Sequence, residues 1–491
     1  MLTGRPGRTL VVLFVALAVV AGCGRRRQTS RSGPARQLTK GEMTVAEQKY
    51  GIAPVLDPSV TYQPNVVVVG GGADAVRSLS STGLTWAIDA HAAHADELAA
   101  GKVIFLTNRA VGRVLDVRND GGTLAVTLGP VAITELIRDC DIRIDAMPID
   151  FGEAIEYAAA DLPGRVLATA PSTAEVRPRS GNDAHVTRVA LTTQPGAAPG
   201  AQSTAVPDVS NLVNFKVVPT AGAGGVGLRA TSNGGGLTVS LEALVHINKP
   251  TLTPVLKIVD GDLREATLTL TGAAGLTLKF DAGTDVGLKA NVNGRLQASP
   301  DFSLPIGGGP VPLALTIRQQ LLISTALGVR NSTLSATGDY TFGGAFRIGY
   351  DGHEWALAGP GGFTAKQTVM QTANGISMAA SGLNLTHQMK VVFGVGAFGL
   401  ATGPYFNFNS AVGLFKGSDL GMVQCKEATL VVGMSGGIGY LIPRPVTDAI
   451  NFILGSLHIR YRVESEGGVS SKPTNIINST STLPGCHAGK E

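Results

Sequence analysis

Charged side chains are scarce in this chain, at 15% of its 491 residues against about 25% in ordinary soluble domains. Lys and Arg number 40, Asp and Glu 36, and the formal balance is +4. With so small a surplus, and no dense basic stripe interleaved with aromatics, nucleic acid is excluded as the principal partner. Aromatic residues are also few, at 5%, which counts against a transmembrane barrel and its two aromatic girdles. Long apolar runs are missing as well. The run Leu10–Val20 would cover about half of a roughly 30 Å hydrocarbon core, which takes about 20 residues to cross as a helix. No pair among the four cysteines has metal-ligand spacing. What the chain has in quantity is glycine, 64 residues, nearly twice the usual share of about 7%. Hydrophobic residues make up 44%, ample for packed interiors. Many turn residues and few helix formers favour short strands, and the length suits two or three domains.

The first 22 residues read as a secretory signal rather than a membrane span. Arg5 and Arg8 precede the apolar run, and Val20-Ala21-Gly22-Cys23 closes it with small residues. This ending resembles the lipobox of bacterial lipoproteins, a resemblance that covers residues 1–24. It implies that Cys23 becomes the new first residue and carries palmitate-like acyl chains. One acyl chain binds a bilayer only marginally, at about 0.8 kcal/mol per buried methylene, and the diacylated or triacylated cysteine of lipoproteins meets that limit. The resemblance therefore implies an extracytoplasmic protein held by lipid on the cell membrane or outer membrane. Position 24 is Gly, not the Asp of an inner-membrane retention signal. Arg25-Arg26-Arg27 follows, either attracted to anionic lipid at about 1 kcal/mol per charge or the solvated start of a linker. Loss of Arg5 and Arg8 with the signal lowers the charge from +4 to +2.

With Cys23 acylated, Cys140, Cys425 and Cys486 remain, an odd number outside the cytoplasm. A Cys425–Cys486 bridge is expected to pin the C-terminal tail, with Cys140 a small buried apolar residue. Residues 23–60 read as a tether, broken by Pro54 and Pro58. A small β-rich domain is expected over 61–168, with strands at Asn65–Val69, Leu84–Asp89, Lys102–Thr107, Val111–Arg118 and Thr123–Leu128. Asn119-Asp120-Gly121-Gly122 is a hairpin signal, and a short helix is expected from Pro130 to Cys140. The stretch Leu98–Asp139 resembles a small β-rich module of large secreted bacterial proteins, a likeness that carries no site residues. Residues 169–210, with five prolines among Ala, Ser, Thr and Gly, read as an extended linker.

From 211 to 465 the sequence alternates with period two. Leu237, Val239 and Leu241 share one face, Leu268 and Leu270 sit among threonines, and Leu276, Leu278 and Phe280 continue the pattern. Asp260-Gly261-Asp262, Asn293-Gly294 and Asp351-Gly352 punctuate it as turns. Such alternation predicts antiparallel sheet in a sandwich or barrel-like domain. One short helix is expected near 446–457, with a stripe of Val446, Ile450, Ile453 and Leu457 after Pro445. Residues 466–491 read as a loose tail. The fold class is mainly β: a small β-rich N-terminal domain, a larger antiparallel sandwich or barrel-like domain, and that one helix.

Candidate chemistry is sparse. Val66–Val69 leads into Gly70-Gly71-Gly72, with Asp89 about 20 residues on, in the manner of a dinucleotide fingerprint. No βαβ unit follows, so a glycine turn is the better reading. Gly433-Met434-Ser435-Gly436-Gly437 has the form of a nucleophile elbow, with Asp448 and His458 or His487 after it. The sequence that follows reads as strand, not the helix an elbow needs. His91 and His94, with Asp96 and Glu97, form a local set of metal-ligand types lacking a distant further ligand. His353, beside Glu354 and Trp355, reads as an isolated polar turn. Phe393, Phe398, Tyr405, Phe406, Phe408 and Phe415 are the main aromatic concentration. They read as packed core, as the wall of an apolar cavity, or as a bilayer-facing band.

No catalytic set, metal site or cofactor is expected. The expected role is that of a lipid-anchored envelope protein, non-catalytic, serving structure, adhesion or the binding of a protein or glycan partner at the cell surface. The alternative is a carrier of an apolar ligand inside the 211–465 domain; an extracellular hydrolase stands third.

Overall fold

The structure, a computed structural model, describes residues 34–80, 83–157, 167–172, 215–222, 224–234, 237–284, 291–327, 333–359, 361–374, 381–396, 400–419, 423–441, 447–448, 451–452, 454–455, 458–459, 462–464, 466–471 and 474–482. Strand dominates these residues, in three largely antiparallel sheets of six, ten and eleven strands.

The six-stranded sheet belongs to the N-terminal part. Thr85–Asp89, Val103–Phe105, Val111–Asp120 and Thr123–Gly129 fall within a residue or two of four of the expected strands. The hairpin turns through Gly121 and Gly122, both at positive φ, a conformation open to glycine without steric cost. Val66–Val68 pairs in parallel with Val103–Phe105. Trp86, Ile88, Ile104, Leu106 and Val126 fill its core, each at most 2% exposed. The helix expected from Pro130 to Cys140 is a single turn, Ile133–Leu136. From Ile137 the chain is strand to Arg143. Cys140, Ile142 and Ile144 are buried in alternation, and pairing with Val255–Ile258 outweighs the weak helical preference of so short a segment.

The other two sheets lie face to face over one continuous apolar core. Leu237–Val259 and Asp262–Thr284 are antiparallel strands of 23 residues each, about 75 Å long at roughly 3.3 Å per residue. Their turn is Asp260-Gly261, as the sequence indicated, and Asp351-Gly352 likewise lies between strands. Asn293-Gly294 does not turn. It lies inside the strand Asn291–Gly307, where Gly294 pairs with Ile323, because ladder pairing on both sides overrides a local turn preference.

Burial along Leu237–Val259 changes parity midway. Val239, Leu241, Ala243, Val245 and Ile247 are buried, then Leu252, Leu256 and Ile258. The ladder slips by one between Asn248 and Thr251, and Lys249 has φ 49°. One extra residue shifts every later side chain to the other parity and so keeps the same face inward. The partner strand keeps even parity from Ala266 to Ala282.

The N-terminal part is sewn into this sandwich. Arg36–Gln37 pairs with Ile306 and Gly307, Met147–Pro148 with Thr251 and Leu252, Ile155–Tyr157 with Asp301–Ser303, and Leu167–Ser172 with residues 291–295. The expected tether of 23–60 is therefore corrected over its described part. Leu38, Met43, Tyr50, Ile52 and Val60 are buried, and Val45–Tyr50 is a helix whose N-cap Thr44 accepts from Glu47 N. The C-terminal tail is corrected too, because Glu466–Ser470 and Thr474–Thr482 pair with Val423–Leu441. Helical residues occur at 447–448, 451–452 and 454–455, where the C-terminal helix was expected; its stripe of Val446, Ile450, Ile453 and Leu457 lies outside the described residues. Most of the expected linker 169–210 lies outside them as well. Among the described residues no helix is long and apolar enough to cross a membrane.

A buried turn, Thr107-Asn108-Arg109, ties three parts together. Thr107 Oγ1 donates to Tyr50 O, and Arg109 donates to Lys49 O. Ile52 N donates to Asn108 Oδ1 at 2.8 Å, and Asn108 N returns a bond to Ile52 O. Gly396 N, beyond the strand Ser381–Gly394 of the ten-stranded sheet, donates to Asn108 O at 2.7 Å. Leu84, Leu400, Leu454 and Val463 form a small core across the same junction.

Candidate functional site

The motifs noticed in the sequence resolve into structure rather than chemistry. Val66–Val68 is followed by a turn through Gly71 and Gly72 at positive φ and a short 3-10 helix, Gly72–Ala75. No pyrophosphate-binding helix begins there. Ser435 lies in mid-strand within Val423–Leu441, half-buried, paired with Asn407 and accepting from its Nδ2 at 3.3 Å. The strained turn of a nucleophile elbow is absent at Ser435. His91 and His94 are exposed and partner Asp89 and Glu97 separately, with His94 Nδ1 2.7 Å from Glu97 Oε1. Among the described residues no three His, Cys, Asp or Glu side chains are gathered to hold a metal. His353 belongs to the turn that Asp351 caps.

Cys425 pairs with Gly417 in the ten-stranded sheet; its expected partner Cys486, and Cys23, lie outside the described residues. Cys140 is buried, with Sγ 3.7 Å from Leu256 O, and burial pushes its thiol up to about 11. A thiol so protonated is a poor nucleophile.

Of the aromatic group, Phe393, Tyr405, Phe406 and Phe408 are buried at 5% exposure or less. Phe398 and the side chain of Phe415 lie outside the described residues. Phe406 and Phe408 come from Gly403–Asp419 of the ten-stranded sheet, and Phe342 and Phe346 approach from the eleven-stranded sheet. Phe346 stacks on Phe406 at 6.4 Å, while Phe342 and Phe408 meet edge to face at 6.2 Å. These separations are those of favourable aromatic pairs. The described rings are packed core.

Next to them the interior turns polar. On Ser381–Gly394 the inward residues Leu385, Met389, Val391 and Phe393 are interrupted by His387, which is fully buried. On Leu313–Leu327, Leu315 and Ile317 lead to Gln319, 1% exposed. On Gly403–Asp419, Phe406, Phe408, Val412 and Leu414 are interrupted by Ser410, also 1% exposed. Ser410 pairs directly with His387, and Gln319 pairs with Met389, one inward step along the same strand. Three neighbouring strands thus place a polar group at adjacent inward positions.

The bonds that exist fix the chemistry. Gln319 Nε2 donates across the sandwich to Gly227 O at 3.0 Å, so its Oε1 faces His387 Nε2, also at 3.0 Å. An amide oxygen only accepts, so the imidazole must carry its proton on Nε2 and leave Nδ1 bare. Among the described residues neither His387 Nδ1 nor Ser410 Oγ has a hydrogen-bond partner. Burial pulls the His387 pKa down to about 4, since the dry interior disfavours the imidazolium.

Sequence reasoning missed these three residues. The available signal was a polar residue at an inward position of an apolar stripe, three times over, which becomes a cluster once the strands are in register.

A second arrangement is a cleft of ≈ 240 Å³ where the N-terminal part meets the sandwich, lined by Ala35, Ile142, Arg143, Ile306, Pro310 and Val311 among others. Its Arg143 is paired with Asp141 and Glu265.

A family model described as "Domain of unknown function (DUF8402)" matches residues 193–471. A second, "Domain of unknown function (DUF8403)", matches residues 46–139. No curated protein and no solved structure matches the chain.

Proposed function

We propose that this chain, which belongs to the family described as "Domain of unknown function (DUF8402)", is a non-catalytic, lipid-anchored protein of the bacterial cell envelope. Its β-sandwich body is held close to the membrane for structural, adhesive or partner-binding work. The observation that carries this reading is the ladder between Arg36–Gln37 and Ile306–Gly307. From Cys23 to Arg36 is 13 positions, a reach of at most about 45 Å at roughly 3.5 Å per residue. An acylated Cys23 would thus tie a folded body, not a long tether, to the bilayer. Exposed apolar Val45, Val55 and Leu56 lie on the same segment and suit contact with a partner.

Metabolic labelling with a palmitate analogue, followed by membrane fractionation, tests the reading. The parent is expected to take up label and sediment with membranes, while Cys23→Ser remains unlabelled and soluble. Equal labelling and equal sedimentation of the two would overturn it. The ring-to-ring packing of Phe342, Phe346, Phe406 and Phe408 speaks against a carrier whose cavity those rings would wall.

A further inference from the structure

Exposed apolar side chains gather on one short stretch of the N-terminal segment. Among the described residues six large ones are exposed, and three of these, Val45 at 82%, Val55 at 40% and Leu56 at 74%, fall within residues 45–56. The stretch itself is fixed to the body. Thr44 caps its helix, Tyr50 and Ile52 are buried, and Tyr50 O and Ile52 N bond the Thr107-Asn108-Arg109 turn. Helix Val45–Tyr50 lies against the 3-10 helix Gly72–Ala75, and so does Ala53, whose Cβ leaves Gly72 no room for a side chain. Both ends of the stretch therefore flank one rigid feature. With Ala46 and Tyr50 packed on the core, Val45 and Lys49, four apart, share the outward face of the helix.

Charge on the chain that leads into this stretch selects the occupant. From Cys23 to Gly41 the sequence holds Arg25, Arg26, Arg27, Arg31, Arg36 and Lys40 and no Asp or Glu; the first acidic residue, Glu42, pairs with Arg36. Carboxylates beside the apolar residues are engaged locally. Glu47 Oε2 accepts from Thr44 N and Asp57 Oδ1 from Ser59 N, both at 2.8 Å. A basic run followed by exposed aliphatic groups complements anionic headgroups over a hydrocarbon layer. Taking the N-terminus to be held at the membrane, as proposed, we infer that Val45, Val55 and Leu56 are the face by which the folded body seats on an anionic lipid bilayer. Three aliphatic side chains hold a bilayer less firmly than one acyl chain, which is itself marginal. The seat therefore forms only when a short tether keeps the bilayer at high local concentration, and a Cys23→Ser chain without a tether stays soluble.

The test supplies a tether that does not depend on acylation. The chain from residue 23, carrying Cys23→Ser and an N-terminal histidine tag, is bound to vesicles of phosphatidylglycerol and phosphatidylcholine containing nickel-chelating lipid. Trp is placed in turn at Val45, at Leu56 and at Thr238, an exposed residue at the far end of Leu237–Val259 from the part that pairs with Cys140–Arg143. Brominated acyl chains are expected to quench Val45→Trp and Leu56→Trp strongly and to leave Thr238→Trp nearly unchanged, over the constant signal of Trp86 and Trp355. With Val55→Trp as the reporter, Val45→Ser combined with Leu56→Ser is expected to lower the seated population by about tenfold or more. Omitting phosphatidylglycerol is expected to weaken quenching as well. Equal quenching at all three positions, or none at Val45 and Leu56, overturns the inference. So does a blue shift of the Val45→Trp or Leu56→Trp emission on raising protein concentration without vesicles, which assigns the face to a second copy of the chain. The histidine tag replaces the acyl chains, so these outcomes do not depend on Cys23, and the labelling experiment alone judges the anchor.

Discussion

His387 is a titratable group placed where its charged form has no support. Unfolded, its imidazole titrates near 6.5; folded, burial holds it down at about 4. Between those values the unfolded chain binds a proton that the folded chain excludes. Stability is therefore full above about pH 6.5 and falls as the pH drops toward 4, by on the order of 3 kcal/mol in all. Urea unfolding across that window is expected to show this loss in the parent and a much flatter profile in His387→Leu. A parent as flat as the variant would refute the assignment. Cys140 illustrates the opposite case, a group made inert by the same burial. Its thiol is expected to resist a disulfide reagent in the native protein and to react promptly in denaturant. The burial of Cys140 was expected from the sequence, though at a helix end rather than in a strand, whereas His387 was not singled out. What the sequence withheld was the company of His387, because Gln319 and Ser410 stand 68 and 23 positions away and meet it only through register.

Among the elements, the hairpin of two 23-residue strands governs the sandwich, and one residue at its midpoint governs the hairpin. Deleting Lys249 removes the slip between Asn248 and Thr251. Leu252, Leu256 and Ile258 would then turn toward solvent while Leu241 and Val245 stay inward. A loss of more than about 4 kcal/mol is expected, read as insoluble expression or a collapsed unfolding midpoint. The alternation of Leu237, Val239 and Leu241 ahead of Lys249 was legible in the order of the residues. The change of parity was not, because a bulge is a property of two strands and leaves no fixed mark on one. Asn293-Gly294 shows the converse error, a strong turn dipeptide held extended by neighbours on both sides. Ile137–Arg143 reads as a helix end only while its partner, Val255–Ile258, is out of view. Pro219 at an edge strand of the eleven-stranded sheet follows the ordinary rule that proline is tolerated where a ladder bond is not required.

At the scale of the whole molecule, composition foretold a mostly β chain but placed its folded body too narrowly. Leu38, Met43 and Tyr50 sit in polar surroundings in the sequence, and their burial comes from contacts more than 50 positions away, such as Tyr50 O with Thr107. The Thr107-Asn108-Arg109 turn should therefore act on the stability of the assembly as a whole. Asn108→Ala leaves the buried Ile52 N–H without its acceptor, at a cost of roughly 1–3 kcal/mol. Hydrogen exchange is expected to show faster opening of residues 45–52 in that variant, with the long hairpin unchanged. Uniform acceleration across both would show that the turn has no special hold on the N-terminal segment.

The short ladder at Arg36–Gln37 also sets how the molecule would answer a mechanical pull on its N-terminal segment. Tension entering through the N-terminus meets two paired residues and the Arg36–Glu42 ion pair at 2.5 Å before it reaches the helix Val45–Tyr50 and the turn that grips it. Peeling the first contact would release about eight residues, or roughly 25 to 30 Å of chain. The sandwich would keep its long strands intact, as a rope slips one loop before it strains the cleat.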